Sequence, residues 1–277
     1  MMKRDGHIHT PFCPHGTEDT LQSYIEEALR QGFTRLTFTE HAPLPSGFTD
    51  STPTKDSGMK LSDLHAYFSA LQQAREEYRT DIDIQIGLEV DYIEGFEQET
   101  AAFLNEYGPL LDDSILSVHF LKYQSDWHCL DYSADLFGEM IEIFGSTAAI
   151  YSKYFETVQR SVQADLGRFK PKRIGHLTLV HKFQRRFPCK EDFSEEIEAI
   201  LKTIKANDYE IDLNGAGLMK PLCLEAYPSP KIAQRAKELG IALVYGSDAH
   251  QAKDIGQGYE SMLPAFFHES KSPVKEK

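Results

Sequence analysis

Ile82-Asp83-Ile84-Gln85-Ile86-Gly87-Leu88-Glu89-Val90 is a short β-rich run that delivers a carboxylate at its C-terminal end. The arrangement recurs along the chain, with similar runs at residues 3–9, 34–39, 114–120, 173–176, 209–214 and 241–247. Most are separated by amphipathic stretches, the pattern of parallel βα units. Asp19 is the expected cap of the first helix, supported by Gln22 and ended by Gly32. Asp192 with Glu195 repeats the capping pattern, and Ser229-Pro230 starts a helix that runs to Gly240. Seven βα units, with no glycine-rich dinucleotide loop after the first strand, predict a closed or nearly closed barrel rather than a doubly wound sheet. The chemistry of such a barrel gathers at the C-terminal strand ends.

That rule gives the histidines their meaning. His7-Ile8-His9 opens the series, and Gly246-Ser247-Asp248-Ala249-His250 closes it. Side chains two apart on a strand share a face, so His7 and His9 can grip one ion; Asp248 and His250 share that spacing, but Gly246 before them suggests a strand running out into a tight turn. His15, His41, His119 and His176 also follow apolar runs, so the ligands converge on one mouth. The sixth strand offers Asn214, a neutral group better suited to substrate than to metal; His181 is a second candidate substrate contact. His65, His128 and His268 fall outside the pattern and read as surface or packing residues.

A chain of 277 residues can bury a sizeable core and shows no second domain, so residues 1–268 are expected to form one α/β domain with a frayed tail at 269–277. No charged-then-apolar leader is present and no apolar run nears the roughly 18 residues of a membrane span, which predicts a soluble, cytoplasmic protein. Cys13, Cys129, Cys189 and Cys223 form no Cys-x-x-Cys pair and read as free thiols; Cys13, between His9 and His15, reads as a small buried hydrophobe, with an approach to the metals as its alternative. A net charge of −14 disfavours a nonspecific grip on nucleic acid and points to a small substrate. Residues 43–60, rich in Pro, Ser, Thr, Gly and Asp, predict a long loop over one barrel end, as a lid or a surface segment. Residues 124–169 are expected to hold two helices, the second at 148–165.

Imidazoles with a few carboxylates and no thiolate favour zinc, iron or manganese over calcium or magnesium. Glu89 and Asp248 are the natural charge-bearing ligands, and a carboxylate can bridge two ions. A hydroxide held between ions is a strong nucleophile at neutral pH, so hydrolysis is the expected reaction.

In order, His7-x-His9, Thr39-Glu40-His41, Gly87-Leu88-Glu89-Val90-Asp91, Ser117-Val118-His119, Gly175-His176 and Gly246-Ser247-Asp248-Ala249-His250 resemble the motifs of the polymerase and histidinol phosphatase (PHP) superfamily of metal-dependent phosphoesterases. The match spans almost the whole chain. Within the superfamily, the stretches 5–16 and 39–45, with Asn214, Gly217 and Tyr227-Pro228-Ser229, resemble the histidinol-phosphatase branch. The resemblance implies a distorted (β/α)7 TIM-like barrel with three divalent ions. One would sit on His7, His9, Glu89 and Asp248; a second on Glu89, His119 and His176; a third on His15, His41 and His250. It also implies hydrolysis of L-histidinol phosphate in histidine biosynthesis. One departure is Thr178, where many relatives carry an acidic residue two places after the histidine.

Two other readings stand beside this one. Another phosphoesterase of the superfamily would act on nucleotides, phosphotyrosine or DNA ends, because metal ligands say little about the leaving group. A regulatory protein would hold the metals without turnover, which the complete ligand set disfavours. Arg160 is the expected phosphate clamp: its fork can take two phosphate oxygens, and it resembles the phosphate-binding arginine of histidinol phosphatases. Its alternative is an ordinary solvated helix face.

Overall fold

The computed structural model describes residues 3–266, so the expected tail at 269–277 and His268 lie outside the described residues. Seven parallel strands form one sheet: β1 (Arg4–Ile8), β2 (Arg35–His41), β3 (Asp83–Asp91), β4 (Ile115–Ser117), then, beyond the hairpin of β5 (Phe120–Tyr123) and β6 (Asp126–Cys129), β7 (Arg173–Ile174), β8 (Glu210–Asn214) and β9 (Leu243–Gly246). The barrel strands lie in sequence order, β1-β2-β3-β4-β7-β8-β9. The last returns to the first through a parallel bridge between Ile8 and Ala249, where His9 N donates to Ala249 O at 3.0 Å and Asp248 N to His7 O at 2.8 Å. A nearly closed (β/α)7 barrel results, as the sequence pattern predicts.

The helices are α1 (Leu21–Arg30), α2 (Leu64–Glu77), α3 (Glu97–Tyr107), α4 (Ala134–Phe144), α5 (Thr147–Gln163), α6 (Ser194–Ala206), α7 (Ala216–Met219), α8 (Pro230–Glu238) and α9 (Tyr259–Phe266). Their apolar faces pack on the strands: Tyr24, Ile25 and Ala28 of α1, Tyr67, Phe68 and Leu71 of α2, and Ile200, Leu201 and Ile204 of α6 are buried. Thr20, not Asp19, caps α1: its hydroxyl accepts from Ser23 N at 3.2 Å, while Asp19 turns away to accept from Ala252 N. Asp192 does brace the start of α6 by accepting from Ser194 N at 3.0 Å. Among the described residues, no helix is long and apolar enough to cross a membrane.

Two local features aim side chains at the mouth. Asp5 pairs with Leu36 and Ile8 with Phe38, so β1 carries one residue more than β2 across this stretch. Such a bulge re-aims the side chains beside it, here the flanking His7 and His9. Gly246 lets the barrel close around them, since a Cβ there would lie 2.5 Å from His7 Cβ and 2.4 Å from Asp212 Oδ1. The stretch after β4 differs from expectation. The strand stops at Ser117, Val118 and His119 lie outside any strand, and a hairpin closed by Gln124 and Ser125 precedes the two expected helices.

Candidate metal centre

Glu89 leaves the end of β3 and is 2% exposed. Its two oxygens face different groups. Oε2 lies 3.3 Å from His7 Nε2, 3.5 Å from His9 Nε2 and 3.2 Å from His41 Nδ1. Oε1 lies 2.8 Å from His176 Nε2 and 3.7 Å from His119 Nε2, and accepts from Ser117 Oγ at 2.6 Å. Asp248 adds Oδ1 at 3.0 Å from His9 Nε2 and 3.6 Å from His7 Nε2. Ligands at about 2.1 Å around a tetrahedral ion stand roughly 3.4 Å apart, so these spacings suit ions shared by the donors.

Four of the imidazoles are turned inward from behind. His7 Nδ1 lies 2.8 Å from Asp212 Oδ2, His9 Nδ1 3.1 Å from Glu40 Oε1, and His119 Nδ1 2.7 Å from Asp91 Oδ1. His250 Nδ1 donates to the Asp248 carbonyl at 3.0 Å. Outer partners of this kind fix ring orientation and leave the other nitrogen free for metal. Tyr154 of α5 supports the His176 backbone by donating to its carbonyl at 3.1 Å. His7 Nε2 and both ring nitrogens of His41 are buried without a hydrogen-bond partner. Orphaned polar atoms are costly inside a protein, and a metal ion satisfies them.

The surrounding carboxylates make this cluster a place for positive charge. Burial opposes charge on His9, yet its hydrogen bonds to Asp248 and Glu40 hold its pKa up at about 9. His119 is likewise held up at about 10, against burial, by Asp91 and Glu89. Glu89 and Asp248, despite their burial, are held well below the usual carboxylate range, chiefly by His7 for the first and by His7 and His9 for the second. Burial and the neighbouring His9 push His41 and His250 well down, towards the neutral ring that binds metal.

Three donor groups emerge: His7, His9 and Glu89; Glu89, His119 and His176; and His9, Cys13, His41 and His250, the donor atoms of each within 4.8 Å of one another. Cys13 joins them, in line with the alternative reading of that residue rather than the packing one. Burial, reinforced by Glu40, pushes its thiol well up, so without an ion the sulfur carries its proton. His15 is exposed at the edge, its ring 5.0 Å from that of His41 and 5.2 Å from that of His250, with Nδ1 donating to the Asp56 carbonyl at 2.9 Å.

Above the donors lies a cavity of about 530 Å³, lined among others by His15, Asp56, Cys129, Asp131, Lys182 and Gln257. The 43–60 segment forms part of its wall, tied down where Asp50 accepts from Thr52 and Ser57 and where Met59 N donates to His41 O at 3.2 Å. Lys182 Nζ donates to Asp131 Oδ2 at 2.9 Å, and burial notwithstanding this partner keeps the ammonium charged.

The expected substrate contacts are not brought here. Arg160 lies on the outer face of α5 with its side chain 48% exposed, donating to Glu156 at 2.6 Å and lying 3.5 Å from Glu94. A helix turn that buries Phe155, Val158 and Val162 carries Arg160 to solvent. His181 stacks on Tyr151, bonds Glu225 at 2.9 Å, and lines a separate surface groove. Asn214 is fully buried, its amide donating to Asp248 Oδ2 at 3.1 Å and Asp212 Oδ2 at 3.2 Å, so it positions a ligand rather than touching the cavity. Of the residues that sequence reasoning passed over, Glu40 and Asp91 stand inside quoted motifs, whereas Asp212, Asp131 and Lys182 carry no sequence signal. His65 is exposed and His128 packs against Phe144, as expected of residues outside the site.

Comparison with known proteins agrees with this geometry. Residues 5–216 match the PHP domain and residues 230–266 the PHP-associated domain. The chain is 51% identical over 267 residues to the histidinol-phosphatase of Bacillus subtilis (strain 168), covering 95% of this chain and 99% of that one. A Listeria monocytogenes crystal structure named "putative histidinol phosphatase" superposes with a TM-score of 0.89 at 44% identity, covering 94% of this chain and 99% of that one. The histidinol phosphate phosphatase of Lactococcus lactis, crystallised with zinc, L-histidinol and phosphate, shares the fold with a TM-score of 0.70 at 23% identity, over 96% of this chain and 95% of that one. With histidines and carboxylates at its strand ends in the expected order and the family model matched across most of its length, the chain belongs to the PHP domain family.

Proposed function

We infer that this protein is a metal-dependent histidinol-phosphatase, hydrolysing L-histidinol phosphate to L-histidinol and inorganic phosphate in histidine biosynthesis. One observation carries the chemistry: Glu89 presents one oxygen to each of two imidazole groups on the floor of a cavity. The substrate assignment rests on the relative of 51% identity that covers nearly the whole chain. A cavity of about 530 Å³ suits one small molecule.

His7, His9, Glu89 and Asp248 would hold one ion, Glu89, His119 and His176 a second, and His41, His250 and His15 a third. Divalent zinc, iron or manganese bound there supplies positive charge for the phosphate oxygens and lowers the pKa of water. In the net reaction a water oxygen joins phosphorus, the bond from phosphorus to the alkyl oxygen breaks, and the leaving alkoxide takes a proton. The chain's own side chains do the rest. Asn214 and Asp212 fix Asp248 and His7, Asp91 fixes His119, and Lys182 offers the cavity a cation that Arg160 does not. Asp56 and Asp254 stand around the mouth and suit the substrate's ammonium group. A biosynthetic role of this kind carries with it a cytoplasmic location and a small-molecule partner rather than nucleic acid.

The purified protein, offered histidinol phosphate, a nucleoside monophosphate and a phosphotyrosine peptide, should show the highest kcat/KM on the first. Equal or better turnover of either competitor would move the assignment to another phosphoesterase of the family. A fully metallated protein inert to all three would make it a non-catalytic metal-binding member.

A further inference from the structure

We propose that the Cys13 thiol is a ligand of the third ion, which makes that position a mixed histidine and cysteine site. The proposal rests on the three-ion reading above. Cys13 is buried, but the main apolar core takes in Cys223 and leaves Cys13 out. Its sulfur lies instead among the ring nitrogens of His9, His41 and His250, all four donors within 4.8 Å of one another. A packing role does not explain a buried sulfur facing imidazole nitrogens.

The local chain holds it there. Cys13 N donates to Thr10 O at 3.0 Å and Gly16 N to Cys13 O at 3.1 Å, a compact turn that folds residue 13 back under β1. His41 supplies the second, independent observation: it is 8% exposed, and neither ring nitrogen has a hydrogen-bond partner. Both ring nitrogens of His9 are already committed, to Glu40 and Asp248. Cys13, His41 and His250 thus remain as the inner donors, and His15 closes the site from the loop. When an ion enters, the thiol gives its proton to solvent and the sulfur binds as thiolate. Sulfur at one position favours zinc or cobalt there over manganese, so the ions need not be of one kind.

The test uses the full-length protein stripped of metal and titrated with cobalt(II), counting bound ions by mass spectrometry and recording near-ultraviolet absorption. Wild type should bind three ions and gain a sulfur-to-cobalt charge-transfer band. Cys13→Ala and the near-isosteric Cys13→Ser should lack the band and bind one ion about 10²-fold more weakly or not at all, since even outer partners of a ligand cost 10- to 100-fold. Cys129→Ala, which removes the thiol that lines the cavity, should keep the band. Three bound ions without a band in wild type, or a band that survives in both Cys13 variants, overturns the thiolate. Fewer than three ions in wild type overturns the three-ion reading itself, and the ion count shows that independently of the band.

Discussion

The floor and the wall of the cavity are built differently. On the floor, His7 and Glu89 belong to strands, while His9, His176 and Asp248 follow within two residues of a strand end. Behind them stand carboxylates such as Asp212 and Asp91, so both backbone and outer partner are fixed. The wall is drawn from connections: Cys129 from the end of the hairpin, Asp131 from the chain after it, Lys182 from the turn after His176, and Asp56 from the long segment after β2. Rigid strand ends can hold several donors near 3 Å, as a metal centre requires, whereas connections can change without disturbing the barrel. The comparison assigns chemistry to the floor and substrate choice to the wall.

The largest expected effect breaks the floor. Glu89→Ala removes the oxygen pair shared by two donor groups and should lose bound metal and about 10⁴-fold or more in kcat/KM. Near-normal metal content and rate in this variant would refute the bridge.

A wall variant should separate binding from metal. Lys182→Met is expected to keep its metals and to lose about 10²-fold in kcat/KM, the scale of a lost buried charge contact. Because it also strands Asp131, the double variant Lys182→Met/Asp131→Asn is the control. If the double variant recovers wild-type kinetics, Lys182 only balances Asp131.

The outer carboxylates should give graded effects on the floor. Asp212→Asn and Asp91→Asn are each expected to weaken metal binding 10- to 100-fold without changing the order of substrate preference. A pH titration sharpens this. In the metal-free protein His9 and His119 hold protons up to pH about 9 and about 10, so metal must displace them. Affinity should therefore rise with pH from 6 to 8, by about tenfold per unit for each proton released. Asp91→Asn, which removes the partner that holds His119 charged, should make that slope shallower; an unchanged slope would remove Asp91 from the account.

Arg160→Ala carries the smallest effect. An exposed side chain already paired with Glu156 and Glu94 contributes little, so kinetics should stay within about threefold of wild type. A loss near 10²-fold, with metals intact, would show that this arginine swings to the substrate and that the wall extends to α5.

The same division explains what could be read from the chain itself. Strand-borne ligands are legible because period-two spacing and position at a strand end are local signals: His7 with His9, Glu89, and Asp248 with His250 all meet on the floor. Asp212 is not legible, because its role depends on packing behind a histidine 205 residues away in sequence. Lys182 pairs with Asp131 across 51 residues and the intervening helices, which no local pattern encodes. The placement of Arg160 away from the cavity has a related reason: its helix is recognisable, but the face that meets the barrel depends on which side buries Phe155 and Val158. The hairpin after β4 was hidden because its strands continue an apolar run into a two-residue turn at Gln124 and Ser125.

The most direct test of the central claim is phosphate release from L-histidinol phosphate by protein stripped of metal with a chelator, then reloaded in steps with zinc, iron or manganese. The account predicts no turnover without metal and a rate that returns as the Glu89-centred donors fill. Hydrolysis at the full rate by the metal-free protein, or a reloaded protein inert to the substrate, would contradict it.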